Sequence, residues 1–235
     1  MLLKVKEIRR KLLEEGRLTK YITYAFGEII IVSVGILLAL YLSNWNETRA
    51  DNKLEIQYYQ SIKYQLQEDS NILTGEIHYN QIYFSQFRYA SSLIRSNART
   101  EIDTLGKITF NMLRYSDFRR KSNIYQTLIS NGEIIVLKNN DIIEKLQNLE
   151  ETYLYINRLE DNHSTIIFSQ IIPEIKETLE VDSIKVVRPE LIFNYKFKNN
   201  FDLLTGLMNE KMNAYKQAGD IIDTIIDLID KELND

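Results

Sequence analysis

Apolar and polar positions divide this chain into stretches of different period. From Tyr21 to Leu42 the only charged side chain is Glu28. As a helix these 22 residues rise roughly 33 Å, enough for one crossing of a bilayer core. Trp45 follows the run between Asn44 and Asn46, and Tyr21 and Tyr24 mark its other end. Such amphipathic rings suit the headgroup layer. The pattern predicts a transmembrane helix over residues 19–45, with Tyr21, Tyr24 and Trp45 as membrane-interface anchors.

Ahead of it, Leu2, Leu3, Val5, Ile8, Leu12 and Leu13 recur near helical spacing, with Lys4, Arg9, Arg10 and Lys11 between them. This predicts a cationic amphipathic helix over residues 1–18 that lies along the inner leaflet. Gly16 suits its left-handed terminus, and Thr19 can cap the helix that follows. A disordered basic tail is the other reading.

Beyond Trp45 a helix can continue to about Asn97. Leu66, Ser70, Leu73, Ile77, Asn80, Phe84, Phe87, Ser91 and Ile94 alternate four and three apart, a heptad seam. A helix over 104–115 follows, then one over 122–130 with Ser122 as cap and Gly132 as its C-terminal αL residue. Residues 134–137 read as a packed turn before a cap at Asn139 or Asn140. The next helix runs from Asp141 to about Glu180, with Ile142, Ile143, Leu146, Leu149, Tyr153, Ile156 and Leu159 on one face, and Pro173 must kink or restart it. Phe193, Tyr195 and Phe197 alternate with polar residues as a strand would. The last helix spans about 200–233 and points Leu203, Leu204, Leu207, Met208, Met212, Tyr215, Ile221, Ile222, Ile225, Ile226 and Ile229 inward. The fold class expected is all-α: one N-terminal transmembrane helix continuing into a long helical stalk and an antiparallel helical-bundle ectodomain over residues 46–235.

Charge sets the expected orientation. Residues 1–20 carry seven Lys or Arg, and the 20 residues from Asn46 carry three, which places the N-terminus in the cytoplasm. A cleaved signal peptide has a similar basic start, but Tyr41 and Ser43 occupy the positions where a small pair would be needed. The reading is an uncleaved signal anchor, with the bundle on the side of the membrane away from the cytoplasm. The residues from 46 onward hold −7 of a net charge of −4, so nucleic acid is not an expected partner. With no Cys, disulfides, thiol catalysis and Cys-based zinc sites are excluded. Only two Pro and eight Gly leave few helix breakers.

The order Tyr24-Ala25-Phe26-Gly27-Glu28-Ile29, Gly35-Ile36-Leu37-Leu38-Ala39-Leu40 and Asn44-Trp45-Asn46-Glu47 closely resembles a group of uncharacterised single-pass membrane proteins of Gram-negative bacteria. The segment from Tyr125 to Leu146, with Thr127, Leu128, Ser130, Gly132, Lys138 and Asn139, looks like the second signature of that family. Asn131 stands where a small Ser is expected. The resemblance covers the first 55 residues specifically and the remainder more loosely. It implies a membrane-anchored helical protein of the inner membrane and brings no activity with it.

Candidate chemistry is sparse. His78 and His163 lie in no metal-binding spacing, although Glu160 and Asp161 neighbour the second. Asp220, Asp223, Asp227 and Asp230 share one face of the last helix, more simply a solvated face than a calcium site. Tyr58, Tyr59, Tyr64, Tyr79, Tyr83, Phe84, Phe87 and Tyr89 crowd the seam, as core packing or as the wall of a ligand groove. No catalytic, cofactor-binding or metal-binding residue is assigned, and no cofactor is expected.

In the apolar run, Gly35, Ala39 and Ser43 form a small-xxx-small stripe that lets another helix approach closely. Glu28 falls within about 20° of Gly35 and Ala39 on a helical wheel. It either reaches the headgroups, near Arg17 and Lys20, or faces a partner with them. The expectation is a non-catalytic, membrane-anchored interaction or accessory subunit of an inner-membrane complex. Its partners would be the lipid bilayer and either a second copy or another membrane protein, met through Glu28, Gly35, Ala39, Ser43 and the stalk. The alternative is a periplasmic ligand-sensing module that signals through a partner membrane protein.

Overall fold

The computed structural model describes residues 6–7, 10, 18–120 and 122–234, so the expected amphipathic helix of residues 1–18 lies almost wholly outside them. The protein divides into two compact units, one ending at Leu54 and one beginning at Glu55.

In the first unit, helix α1 (Leu18–Arg95) begins. Thr19 lies inside it, one residue past its first. Every side chain from Glu28 to Lys53 is exposed. The run is long and apolar enough to cross a membrane, and a helix satisfies its own backbone groups when no water is at hand. Among the expected interface anchors, Tyr24 and Trp45 are exposed, Trp45 has the Arg49 guanidinium 6.0 Å from its ring, and the Tyr21 side chain lies outside the described residues.

The second unit is a helical bundle. Along α1 the seam is buried at Leu66, Leu73, Asn80, Phe87, Ser91 and Ile94, and half-buried at Ser70, Ile77 and Phe84. The helix ends at Arg95 because Asn97 turns left-handed, with φ 51°, and the Ala98 N–H donates back to the Leu93 carbonyl at 3.0 Å. Asn tolerates that conformation better than most residues.

Helix α2 (Ile102–Phe110) leads through a 3₁₀ turn into an extended segment that begins at Arg114. Helix α3 (Ile124–Asn131) is capped by Asn123, whose side chain accepts from the Gln126 N–H at 2.9 Å. The expected cap, Ser122, lies one residue upstream, and amide oxygens serve there as well as hydroxyls. At the other end Gly132 takes φ 72°. Asn139 then caps helix α4 (Asn140–Ile166), accepting from the N–H groups of Asp141 and Ile142.

A π turn over Ile167–Ile171 joins α4 to helix α5 (Ile172–Thr178). Pro173 supplies the reason. It has no N–H for the carbonyl of Ser169 and its ring crowds that carbonyl, and a wider turn relieves both faults. Strands β1 (Leu179–Glu180) and β2 (Lys185–Val186) pair antiparallel, Leu179 with Val186. This hairpin packs so closely on α2 that a Cβ at Gly106 would lie 3.0 Å from Val186 Cγ2.

The alternation at Phe193, Tyr195 and Phe197 is not a strand. Helix α6 (Pro189–Ile192) precedes it and helix α7 (Tyr195–Asn234) begins within it. Three aromatics at alternate positions mimic a strand, yet Asn194 accepts from the Phe197 N–H at 2.9 Å and starts a helix. On α7, Leu204, Met208, Met212, Tyr215, Ile222, Ile225 and Ile229 are buried, whereas Leu203 is exposed and Leu207 half-buried.

Polar contacts give the helix directions. Lys63 pairs with Asp230 and Ser91 with Asp202, so α7 runs antiparallel to α1. Asn139 meets Glu232 and Tyr155 meets Glu210, so it is antiparallel to α4 too. The crossing from 96 to 139 returns the chain to its starting end, which makes α1 and α4 parallel: Glu55 meets the Lys138 N–H and Asp69 meets Tyr153.

The left-handed Gly132 has open space around its Cβ position, so backbone strain alone decides substitution there. Gly132→Val should destabilise the bundle by about 1–3 kcal/mol, and Gly132→Asn should cost far less. Equal denaturant midpoints for the three proteins would show that the turn is not what closes α3.

Candidate functional site

The core is not one apolar body. One cluster holds Leu73, Leu159 and Ala214, the other Phe87, Ile167 and Met208. On each long helix the residues between the two are polar and buried: Asn80 on α1, Glu160 and His163 on α4, Lys211 on α7. The extended segment adds Ser116 at the same level. Lys211, His163 and Asn80 are each 0 % exposed, an unusual state for a lysine unless it is paired.

Hydrogen bonds run through the layer in one direction. Ser116 Oγ accepts from Asn80 Nδ2 at 2.8 Å and from Lys211 Nζ at 2.6 Å. Both its lone pairs are then used, so its hydrogen goes to the Tyr215 hydroxyl 2.8 Å away. Tyr215 donates in turn to Glu160 Oε1, which also accepts the Phe118 N–H at 2.8 Å. An ammonium and a carboxyl are thus joined through two hydroxyls.

Electrostatics follow from the burial. Loss of water pushes the Lys211 ammonium down to about 8, against the pull of Glu160, Glu76 and Asp117. Burial raises the Glu160 carboxyl, and the hydrogen bonds from Tyr215 and the Phe118 N–H, with the Lys211 charge, oppose it. Tyr215 is pushed up by burial and by the adjacent Glu160. His163 is driven down to about 3, by burial first and by Lys211 second. Neither of its ring nitrogens has a hydrogen-bond partner, nor has Asn80 Oδ1. Its ring stands 5.9 Å from that of Tyr115.

A serine bonded to a lysine of depressed pKa is the chemistry of an activated nucleophile. Here Ser116 is 1 % exposed and its oxygen is saturated, so a substrate carbonyl has no approach to it in this conformation. Glu160 alone reaches outward: it lines a groove of about 600 Å³ with Arg119, Arg120, Asn157 and Asp161. Both arginines are already engaged, Arg119 with Asp117 at 2.6 Å and Arg120 with Glu150 at 2.5 Å.

A second polar cluster lies along the same helices. Buried Asp69 accepts from Tyr153 at 3.1 Å and from Gln65 at 3.3 Å, while Gln65 Oε1 accepts the Ile124 N–H at 2.8 Å. Burial raises the Asp69 carboxyl against those two bonds. Nearer the start of the bundle Glu55 accepts from Tyr59 at 3.1 Å and from the Lys138 N–H at 2.7 Å.

The residues singled out from the sequence are scattered. Glu28, Gly35, Ala39 and Ser43 lie exposed on α1, and a Cβ on Gly35 would meet no atom within 4 Å. His78 and Asp161 are exposed, whereas Glu160 and His163 are buried. Asp220, Asp223 and Asp227 are exposed and Asp230 pairs with Lys63. Among the described residues no three His, Cys, Asp or Glu side chains are grouped to hold a metal ion.

Lys211 was missed, although a signal existed. It occupies a position of the four-three series Leu204, Met208, Lys211, Tyr215, Ala218, Ile222, as Asn80 does between Leu73 and Phe87. A single polar residue inside an otherwise apolar seam marks a buried contact. No family model, curated protein or solved structure matches this chain.

The unpartnered imidazole makes a signed prediction. The unfolded chain takes up a proton near pH 6.5, whereas the folded His163 does so only at about 3. In that window the unfolded state binds more protons, so His163 costs stability as pH falls. His163→Leu should be at least as stable as the native protein at pH 7 and gain on it by ~2 kcal/mol at pH 5. Parallel stability curves from pH 7 to 5 would refute a neutral, buried His163.

Proposed function

We propose that this protein is a non-catalytic, membrane-anchored interaction subunit: α1 crosses a bacterial inner membrane once, and the bundle stands in the periplasm. The observation that carries the reading is the apolar, wholly exposed run of α1, which in water would be an aggregation hazard and in lipid is an anchor. The basic excess ahead of it supports a cytoplasmic N-terminus. The resemblance of residues 24–47 to single-pass inner-membrane proteins supports the same placement. A saturated, inaccessible Ser116 favours a structural role for the polar layer over a catalytic one.

Association is assigned to the face that bears Glu28, Gly35, Ala39 and Ser43, where small side chains let a second helix approach. The partner is another copy or a different membrane protein. Ligand sensing is the second reading, favoured by a groove on the bundle lined by the uncharged side chains of Gln57, Gln60, Tyr64 and Asn123.

Orientation is open to a direct test. A reporter active only outside the cytoplasm should work when fused after Asp235 and fail when fused after Arg17 of a truncated chain, and the reverse pattern would overturn the topology. Association is tested in detergent and by what copurifies. Gly35→Leu should break close helix contact and lower the oligomer or lose the partner. Glu28→Gln should do so only if the carboxylate lies within the interface. If both variants migrate and copurify as the native protein does, the helix is a tether and nothing more.

A further inference from the structure

Two helices of the bundle present exposed surfaces that are almost free of charge. Residues 56–67 of α1 and 122–132 around α3 contain one charged side chain, Lys63, and that one is engaged by Asp230. At the 26 % charge of the whole chain, about six would be expected in these segments if they were ordinary solvated surface. Burial does not account for the difference, because Gln57, Gln60, Ser61, Tyr64, Gln126 and Thr127 are all exposed.

The two segments face one another across a groove of about 790 Å³, lined by Gln57, Gln60, Tyr64, Asn123, Thr127 and their neighbours. Its walls are held in place. Gln65 accepts the Ile124 N–H at 2.8 Å and so ties the start of α3 to α1, and Asn123 caps α3. Gln57, Gln60 and Tyr64 follow one another at three and four residues, which puts them in line about 5–6 Å apart. Among the described residues the amides of Gln57 and Gln60 make no hydrogen bond, and Tyr64 is 65 % exposed.

We propose that this groove binds a neutral oligosaccharide. Each free amide offers a donor and an acceptor side by side, the pattern that adjacent hydroxyls of a pyranose require. The flat, exposed face of Tyr64 can cover the C–H face of a sugar ring. The lining holds no cation to favour a phosphate or carboxylate, and no carboxylate to favour a cation. The volume suits a ligand of a few sugar units. The site lies wholly within the bundle, so it does not depend on the membrane topology or the association face proposed above.

The test uses the full chain in lipid nanodiscs, because the sugar headgroup of a maltoside detergent would compete. Chitotetraose and maltoheptaose are titrated by calorimetry. Saturable binding of at least one is expected, with Kd between ~10 μM and ~1 mM. Tyr64→Ala and Gln60→Ala should weaken it at least about tenfold without moving the melting temperature, and Tyr64→Phe should retain it. Failure of both sugars to saturate by ~10 mM overturns the proposal, and so does equal binding by the alanine variants, which would place the site elsewhere. If neither sugar binds and Tyr64→Ala instead changes the oligomeric state, the face is a protein interface and the sugar site is refuted.

Discussion

Lys211 and Glu160 are joined through the hydroxyls of Ser116 and Tyr215, and the packing of the bundle depends on that contact. A buried ammonium is costly unless it is bonded. The three long helices therefore have one axial register in which Asn80, Glu160 and Lys211 lie level with Ser116. A slide by one turn, about 5.4 Å, would set Lys211 against aliphatic side chains of one cluster or the other. Apolar seams such as Leu66-Leu73 and Ile222-Ile229 attract strongly but discriminate poorly between neighbouring registers. The polar layer makes that discrimination, a role that single buried polar residues also have in coiled coils.

The same chemistry lets an irregular connection pass through the structure. An extended segment inside a bundle leaves N–H groups without partners, and here side chains from the long helices supply them. Glu160 takes the Phe118 N–H, Gln65 that of Ile124 and Glu55 that of Lys138. Each acceptor is a buried polar residue on an otherwise apolar helix face. Seen along α1, the buried polar side chains Glu55, Gln65 and Asn80 receive the crossing segment. Of these, Gln65 also holds the start of α3, and with it the shape of the uncharged groove that Gln65 helps to line.

The exposed apolar part of α1 obeys the reverse rule. From Glu28 to Leu42 the side chains that would form a core in water point outward, while in the bundle most outward side chains are polar and most inward ones apolar. One helix thus carries two patterns, each matched to a different solvent. The proposed anchor and the proposed sugar site occupy different units, so a tethered binding module is consistent with both.

Periodicity alone determined much of this protein. The uninterrupted apolar run, the heptad seam of α1, the faces of α4 and α7, the left-handed Gly132 and the break at Pro173 were all legible, because each depends on local spacing or on the backbone limits of one residue type. The strand expected over 193–197 and the inward Leu203 were misread, since three alternate aromatics satisfy a two-residue period without any partner strand to pair with. Tertiary structure decided that α1 and α4 run parallel, and that Ser116 bridges Lys211 to Tyr215 and Glu160. These contacts join residues 36 to 99 positions apart in the chain, and nothing in the neighbourhood of Ser116 or Lys211 marks them as partners. Local sequence encodes which face of a helix prefers oil, whereas the match of one buried charge to another exists only after the helices have docked.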